Sequence, residues 1–244
     1  MSNEKNVYYG EYSNIEHYSI GVNIPGLFDY PAYYKAEIAR RKNRASSELV
    51  QKVEELSTHE FYFEKANHDF RKLEVLPDSL WISNHENDSP KEKDLIFRIS
   101  SNGIIFREEV ATIFNQFRLG QTTLIPVKIY IIETGEQWSN ETFYVLNLCE
   151  QREYVCFSQP DNGLKAMTSG ENKLVYTGYV NKDRKLDVSE SALECDVDIW
   201  YDPSFLGKIF MSENLHQVLV ESELIKCLEP NVWRYWNMQT CNLV

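Results

Sequence analysis

The sequence predicts an α+β protein in which a mixed, mainly antiparallel sheet packs against a few helices. Two kinds of periodicity lead to this prediction. Short segments of alternating apolar and polar residues, bounded by turn-forming residues, recur beyond residue 90 and are typical of strands. Other segments place apolar residues three and four positions apart, which is the spacing of an amphipathic helix. With 244 residues and 43% hydrophobic content, the chain can bury one large core or two smaller ones without disulfides or metal ions.

Residues 1–90 are predicted to form an amino-terminal region around one long helix. The first thirty residues are rich in tyrosine and interrupted by glycine and proline, which favours short strands and loops. An apolar stripe then runs through residues 31–56, and Asp29 is positioned to cap this helix. The opposite face is basic, and we interpret it as solvated or as paired with acidic residues elsewhere in the chain.

Residues 91–244 are predicted to form an α+β domain, separated from the first region by a polar stretch, although the two regions could also form one compact unit. An amphipathic helix is expected around Val110, Ile113 and Phe117. The predicted strands share alternating apolar residues and lie at residues 95–99, 124–132, 142–148, 153–157 and 174–180. The third and fourth of these strands are expected to form a hairpin.

A short internal repeat lies in the carboxyl-terminal half of the chain. Six residues recur without gaps at two places, Gly103, Ile105, Phe106, Glu109, Leu124 and Pro126, then Gly207, Ile209, Phe210, Glu213, Leu228 and Pro230. The repeat predicts two similar strand–helix–strand units whose helices lie on a shared sheet. Chance matching of common residue types is the alternative.

The composition is acidic, with a net charge of −12. This charge repels phosphate backbones and anionic membranes, so we expect neither direct nucleic-acid binding nor membrane binding. Residues 186–229 carry ten acidic side chains against Lys208 and Lys226. Such an excess either keeps the protein in solution or steers a basic protein toward it. Neither a signal peptide nor disulfide-like cysteine spacing is visible, which predicts a cytoplasmic location.

The sequence contains no recognisable pattern of a catalytic, cofactor or metal site. There is no nucleophile elbow, phosphate-binding loop, dinucleotide fingerprint or zinc-binding helix motif. We therefore expect no catalytic, cofactor-binding or metal-ligating residues. One alternative is an enzyme whose residues, such as His85, Glu108 and Cys156, meet only in the folded structure. Another is a non-catalytic subunit of a larger assembly.

Residues 198–215 form the most distinctive segment. A strand is expected to end at a turn formed by Asp202 and Pro203, and a second strand returns to a helix capped by Ser212. This segment resembles the carboxyl-terminal motif of a family of bacterial immunity proteins from polymorphic-toxin and contact-dependent competition systems. The matching residues are Trp200, Asp202, Phe210, Met211, Ser212 and Leu215. The similarity extends loosely over residues 94–236, but residues 223–226 stand where the family often has a glycine.

The resemblance implies a stoichiometric inhibitor that binds a cognate toxin and performs no chemistry. An acidic protein with aromatic anchors suits a basic toxin, because opposite charges accelerate association and buried aromatic side chains hold the complex. The predicted partner-binding residues are Glu194, Asp196, Asp198, Asp202, Trp233 and Tyr235.

Overall fold

The computed structural model of the protein describes residues 5–12, 15–42, 47–84, 89–156, 164–168, 174–177, 185–229 and 232–244. Within these ranges the fold is α+β, as predicted, with mostly antiparallel sheets. The helices are α1 (Tyr30–Lys42), α2 (Ser47–Leu56), α3 (Tyr62–His68), α4 (Glu108–Phe114) and α5 (Glu213–Glu221), together with a 3-10 helix at Glu190–Glu194. The strands are β1 (Val7–Tyr12), β2 (His17–Tyr18), β3 (Ile20–Asn23), β4 (Ser79–Ile82), β5 (Ile96–Ile99), β6 (Ile104–Arg107), β7 (Thr123–Ile131), β8 (Phe143–Asn147), β9 (Lys165–Thr168), β10 (Leu174–Thr177), β11 (Asp187–Val188), β12 (Ile199–Tyr201), β13 (Ile209–Ser212), β14 (Ile225–Glu229), β15 (Val232–Thr240) and β16 (Asn242–Leu243).

The backbone contacts divide the chain into two interleaved units. Unit 1 comprises Met1–Ile15, Ile113–Gln121 and Cys149–Val244, and unit 2 comprises Glu16–Thr112 and Thr122–Leu148. The predicted division between residues 90 and 91 falls inside unit 2 and matches neither unit. The predicted boundary differs from the observed one because a polar stretch indicates a surface loop, and surface loops also connect strands of a single sheet.

Unit 2 is built on a seven-stranded sheet in the order β2-β5-β6-β8-β7-β4-β3. Neighbouring strands are antiparallel except for the pairs β2–β5 and β4–β7, which are parallel. The strands contribute apolar side chains to one core, including fully buried Ile20, Phe97, Ile105 and Val145. The chain passes from β2 to β3, at opposite ends of the strand order, across Ser19 alone.

The single helix predicted at residues 31–56 is wrong, because two separate helices, α1 and α2, pack against each other. The Asp29 cap is present, since its Oδ1 accepts a hydrogen bond from the Ala32 backbone N–H at 3.0 Å. Residues 43–46, between the helices, lie outside the described residues. An apolar stripe gives the helical period but does not tell whether the chain folds back on itself, because that depends on tertiary contacts.

Unit 1 contains a five-stranded antiparallel sheet in the order β12-β13-β1-β15-β14. The central strand β1 comes from the amino terminus. Gly10 on β1 permits close approach to β15, because a Cβ there would meet the backbone oxygen of Asn237 and would lie 2.6 Å from the sulfur of Met238. Two further strand pairs, β9–β10 and β11–β16, also belong to this unit.

The internal repeat corresponds to two strand–helix–strand units, β6–α4–β7 and β13–α5–β14. In each repeat copy, the strand that follows, β8 in the first and β15 in the second, pairs with the strand after the helix. In unit 2, β8 also pairs directly with β6, whereas in unit 1 the strand β1 lies between β13 and β15. The predicted shared sheet is therefore wrong, since the two copies lie in different sheets.

The hairpin predicted over residues 142–157 is also wrong in its second strand. The first strand is present as β8, but Gln151 and Val155 form isolated bridges to Tyr201 and Val188 instead of pairing with β8. Alternating residues mark both segments as extended and cannot identify the partner of each.

Candidate partner-binding surface

The residues that resemble the immunity-protein motif form the interior frame of unit 1. Trp200 on β12 lies opposite Phe210 on β13, and their rings stack with centroids 5.8 Å apart. Both side chains are completely buried, and so is Met211. Ser212 caps α5 by accepting a hydrogen bond from the Leu215 backbone N–H at 3.3 Å. The motif residues therefore stabilise the fold.

Asp202, predicted to contact a partner, is fully buried. One carboxylate oxygen accepts hydrogen bonds from the backbone N–H groups of Tyr154 and Val155, both at 2.8 Å. The other oxygen accepts from the backbone N–H and the hydroxyl of Ser204, at 2.9 and 2.5 Å. These four bonds use the carboxylate internally, so its assignment to the partner surface is wrong.

Asp198 is also buried, and its assignment to the partner surface is wrong for the same reason. Its carboxylate accepts hydrogen bonds from the Arg118 backbone N–H, from the Arg118 guanidinium and from the Ser212 hydroxyl, at 2.7 to 3.1 Å. Burial alone would raise the pKa of Asp198, but these hydrogen bonds together lower the pKa below its ordinary value. Asp198 thus clamps residue 118 to the start of α5.

Three other acids of the same unit are exposed and lie close together in the chain: Glu190, Glu194 and Asp196. We call them the acidic ridge. Glu190 and Glu194 belong to the 3-10 helix, whose first turn is capped by the Ser189 hydroxyl. The Glu190 backbone N–H also donates to the carbonyl oxygen of Val244 at 3.1 Å. The helix is therefore anchored at its amino-terminal end.

Asp196 is held by Arg152, whose Nε and terminal nitrogen lie 3.0 and 2.8 Å from one carboxylate oxygen. Arg152 also bonds the buried Glu150 at 2.5 Å. Hydrogen bonding to Arg152 lowers the pKa of Asp196, which therefore stays charged at neutral pH. The sequence missed Glu190 as a ridge member, although the local acidic excess already contained it.

Tyr235, one of the two aromatic residues predicted as anchors, does not contribute to an exposed surface. Tyr235 is buried, and its φ of 58° breaks the alternation of β15. Trp236, the next residue, is consequently buried as well, next to the Tyr12 ring. The assignment of Tyr235 to the partner surface is wrong. A residue with positive φ interrupts the regular alternation of side chains between the two faces of a strand. The side chain of Trp233 lies outside the described residues.

The residues of the enzyme alternative are spread over the chain. Glu108 belongs to unit 2 and Cys156 to unit 1, while His85 lies outside the described residues. In the ranges that the structure describes, no three His, Cys, Asp or Glu side chains are grouped to hold a metal ion.

Among the described residues, no helix combines the length and the apolar character needed to cross a membrane. Comparison with models of protein families and with curated proteins finds no match for the chain.

Proposed function

We propose that the chain is an immunity protein, which binds a cognate toxin in the cytoplasm of the producing cell and neutralises it by stoichiometric association. The observation that supports the proposal best is the acidic ridge, a group of exposed carboxylates on an anchored segment of unit 1. The resemblance of residues 198–215 to immunity proteins gives the class of partner. No catalysis is assigned to the chain.

The ridge is connected to the motif by hydrogen bonds. Asp202 fixes the backbone of Tyr154 and Val155, and the Tyr154 carbonyl oxygen accepts from the backbone N–H of Ser189 at 2.8 Å. Val155 also bridges to Val188, two residues before the 3-10 helix. Buried motif residues thus hold exposed acids in place, which suits recognition of a fixed pattern of basic groups.

Electrostatic steering explains how such a surface would act. Charges at the edge of an interface mainly raise the association rate, and salt screens their effect. A toxin that acts on nucleic acid has a basic substrate groove, and the ridge would compete for that groove. Rapid capture is useful to a producing cell because a free toxin is harmful from the moment it is present.

Charge reversal of the ridge tests this proposal. Glu190→Lys combined with Glu194→Lys should slow association with the cognate toxin by about tenfold or more at low salt, and the difference should shrink at high salt. The matched control combines Glu54→Lys with Glu92→Lys, two exposed acids of unit 2, and makes the same change in net charge. Equal association rates for the two double variants would contradict a role for the ridge.

A further inference from the structure

A groove lies beside α5 in unit 1, and its lining includes none of the acidic-ridge residues. It has a volume of ≈ 480 Å³ and is lined by Tyr8, His216, Val220, Glu223, Ile225, Lys226, Cys227 and Met238. All eight residues belong to unit 1. A cavity of this size is larger than one amino-acid side chain and lies in the range that accommodates a ligand or a short segment of a protein.

One wall of the groove is a stacked pair of rings. Tyr8 and His216 lie parallel, with ring centroids 3.5 Å apart and an angle of 5° between the planes. The Tyr8 hydroxyl donates to Glu213 at 3.3 Å, which fixes this ring. Burial lowers the pKa of His216, so the imidazole is neutral at neutral pH and adds apolar surface to the wall.

The remaining lining combines apolar contact surface with an acidic border. Among the lining residues, Ile225 and Met238 are buried, while Val220 is 43% exposed. Two exposed lining residues form an ion pair, in which the Lys226 ammonium is 2.6 Å from a carboxylate oxygen of Glu223. Two further acids are on α5: Glu213, which accepts the Tyr8 hydroxyl bond beside the ring wall, and Glu221, which follows Val220. An apolar centre with a charged border is the usual organisation of a protein-binding surface.

We propose that this groove binds a short segment of a partner protein in which an apolar side chain is flanked by lysine or arginine residues. The apolar side chain would pack against Val220, Met238 and the Tyr8–His216 wall. The basic flanks would lie beside the acids of α5 and the loop that follows. This chemistry does not depend on whether the partner is a toxin, so the groove can be tested separately from the immunity function.

The test uses the full chain and two synthetic peptides, acetyl-Lys-Leu-Trp-Lys-amide and acetyl-Glu-Leu-Trp-Glu-amide. With ¹³C-methyl methionine labelling, Met238 reports on the groove, whereas Met167 and Met211 lie elsewhere. The basic peptide should shift the Met238 signal and bind at least about tenfold more tightly than the acidic peptide. An unmoved Met238 signal, or equal binding of both peptides, would overturn the proposal.

A matched pair of variants locates the contact. Val220→Arg places a bulky cation in the groove and should weaken binding of the basic peptide by about tenfold or more. Gln217→Arg puts the same charge on the exposed part of the same helix and should change the affinity by less than about threefold. Both substitutions are on the surface, so thermal melting should show folded protein. Wild-type affinity in Val220→Arg would also overturn the proposal.

Discussion

Asp202 is surrounded by hydrogen-bond donors. Its four hydrogen bonds can form together only if both carboxylate oxygens are acceptors. Two backbone N–H groups point to one oxygen, and the Ser204 hydroxyl and N–H point to the other. An asparagine of the same shape has a single acceptor oxygen and an NH₂ group that cannot accept. The carboxylate is thus required by its surroundings.

We predict that Asp202→Asn lowers the free energy of unfolding by about 2–3 kcal/mol, because at least one pair of buried donors loses its acceptor. Urea unfolding of the purified chain measures this change. The control is Asp196→Asn, an exposed acid close by, which should leave the urea midpoint unchanged within error. A small effect of Asp202→Asn would mean that the turn does not depend on the carboxylate.

The count of charges along the sequence could not distinguish the buried carboxylates of Asp202 and Asp198 from the exposed acids around them. Asp202 bonds residues 47 and 48 positions away, and Asp198 bonds Arg118, which is 80 positions away. A single sequence shows that a carboxylate is present but gives no information about which distant donors will surround it. Exposed acids such as Glu194 were predicted correctly to be at the surface because surface exposure is the ordinary state of glutamate.

At the scale of elements, Asp198 joins the segment at Arg118 to the junction of β13 and α5. Its carboxylate bonds the Arg118 side chain and the Ser212 hydroxyl, and its backbone carbonyl accepts from the Ser212 N–H at 3.0 Å. Because the folded state lowers the pKa of Asp198, the stabilisation is complete above the ordinary carboxyl pKa of 3.8 and is lost as the pH falls through the lower folded value.

Asp198→Asn should therefore destabilise the chain by about 1–3 kcal/mol at pH 7, and the difference from wild type should shrink below pH 4. Urea-unfolding free energies at pH 7, 5, 4 and 3 measure the trend. Repeating the comparison in an Arg118→Gln background should give a weaker dependence on pH, since the cation that lowers the pKa is then absent. A difference that stays constant from pH 7 to pH 3 would contradict this account.

Local elements were predictable wherever one short segment contained the whole signal. The sequence predicted β5 and the Ser212 cap from periodicity and capping residues, and the two strand–helix–strand units from the internal repeat. Pairing was less predictable, because β1 enters its sheet between β13 and β15 from more than 190 positions away. The bend of β15 at Tyr235 was missed since a positive φ at a tyrosine has no sequence signature.

In the whole molecule, the two large sheets each contain strands from both sides of residue 90. The five-stranded sheet needs β1, and the seven-stranded sheet needs β2, β3 and β4. Cutting the chain at the polar stretch would therefore divide both cores.

We predict that residues 91–244 do not fold when expressed alone. Circular dichroism and amide NMR dispersion should show an unfolded or aggregated fragment. Co-expression with residues 1–90 should restore folded protein, because the missing strands are then supplied in a second chain. A well-dispersed spectrum of the isolated fragment would contradict the interleaved arrangement of the two units.

The most direct measurement of the proposed function is survival of a susceptible bacterium that co-expresses this chain with its candidate toxin, taken as the product of the adjacent upstream gene, scored together with co-purification of the two proteins. We predict survival and a stable stoichiometric complex, both weakened when Glu190→Lys and Glu194→Lys are combined. Cell death in the presence of folded wild-type chain, with no complex recovered, would contradict the proposal that the chain neutralises this toxin by binding it.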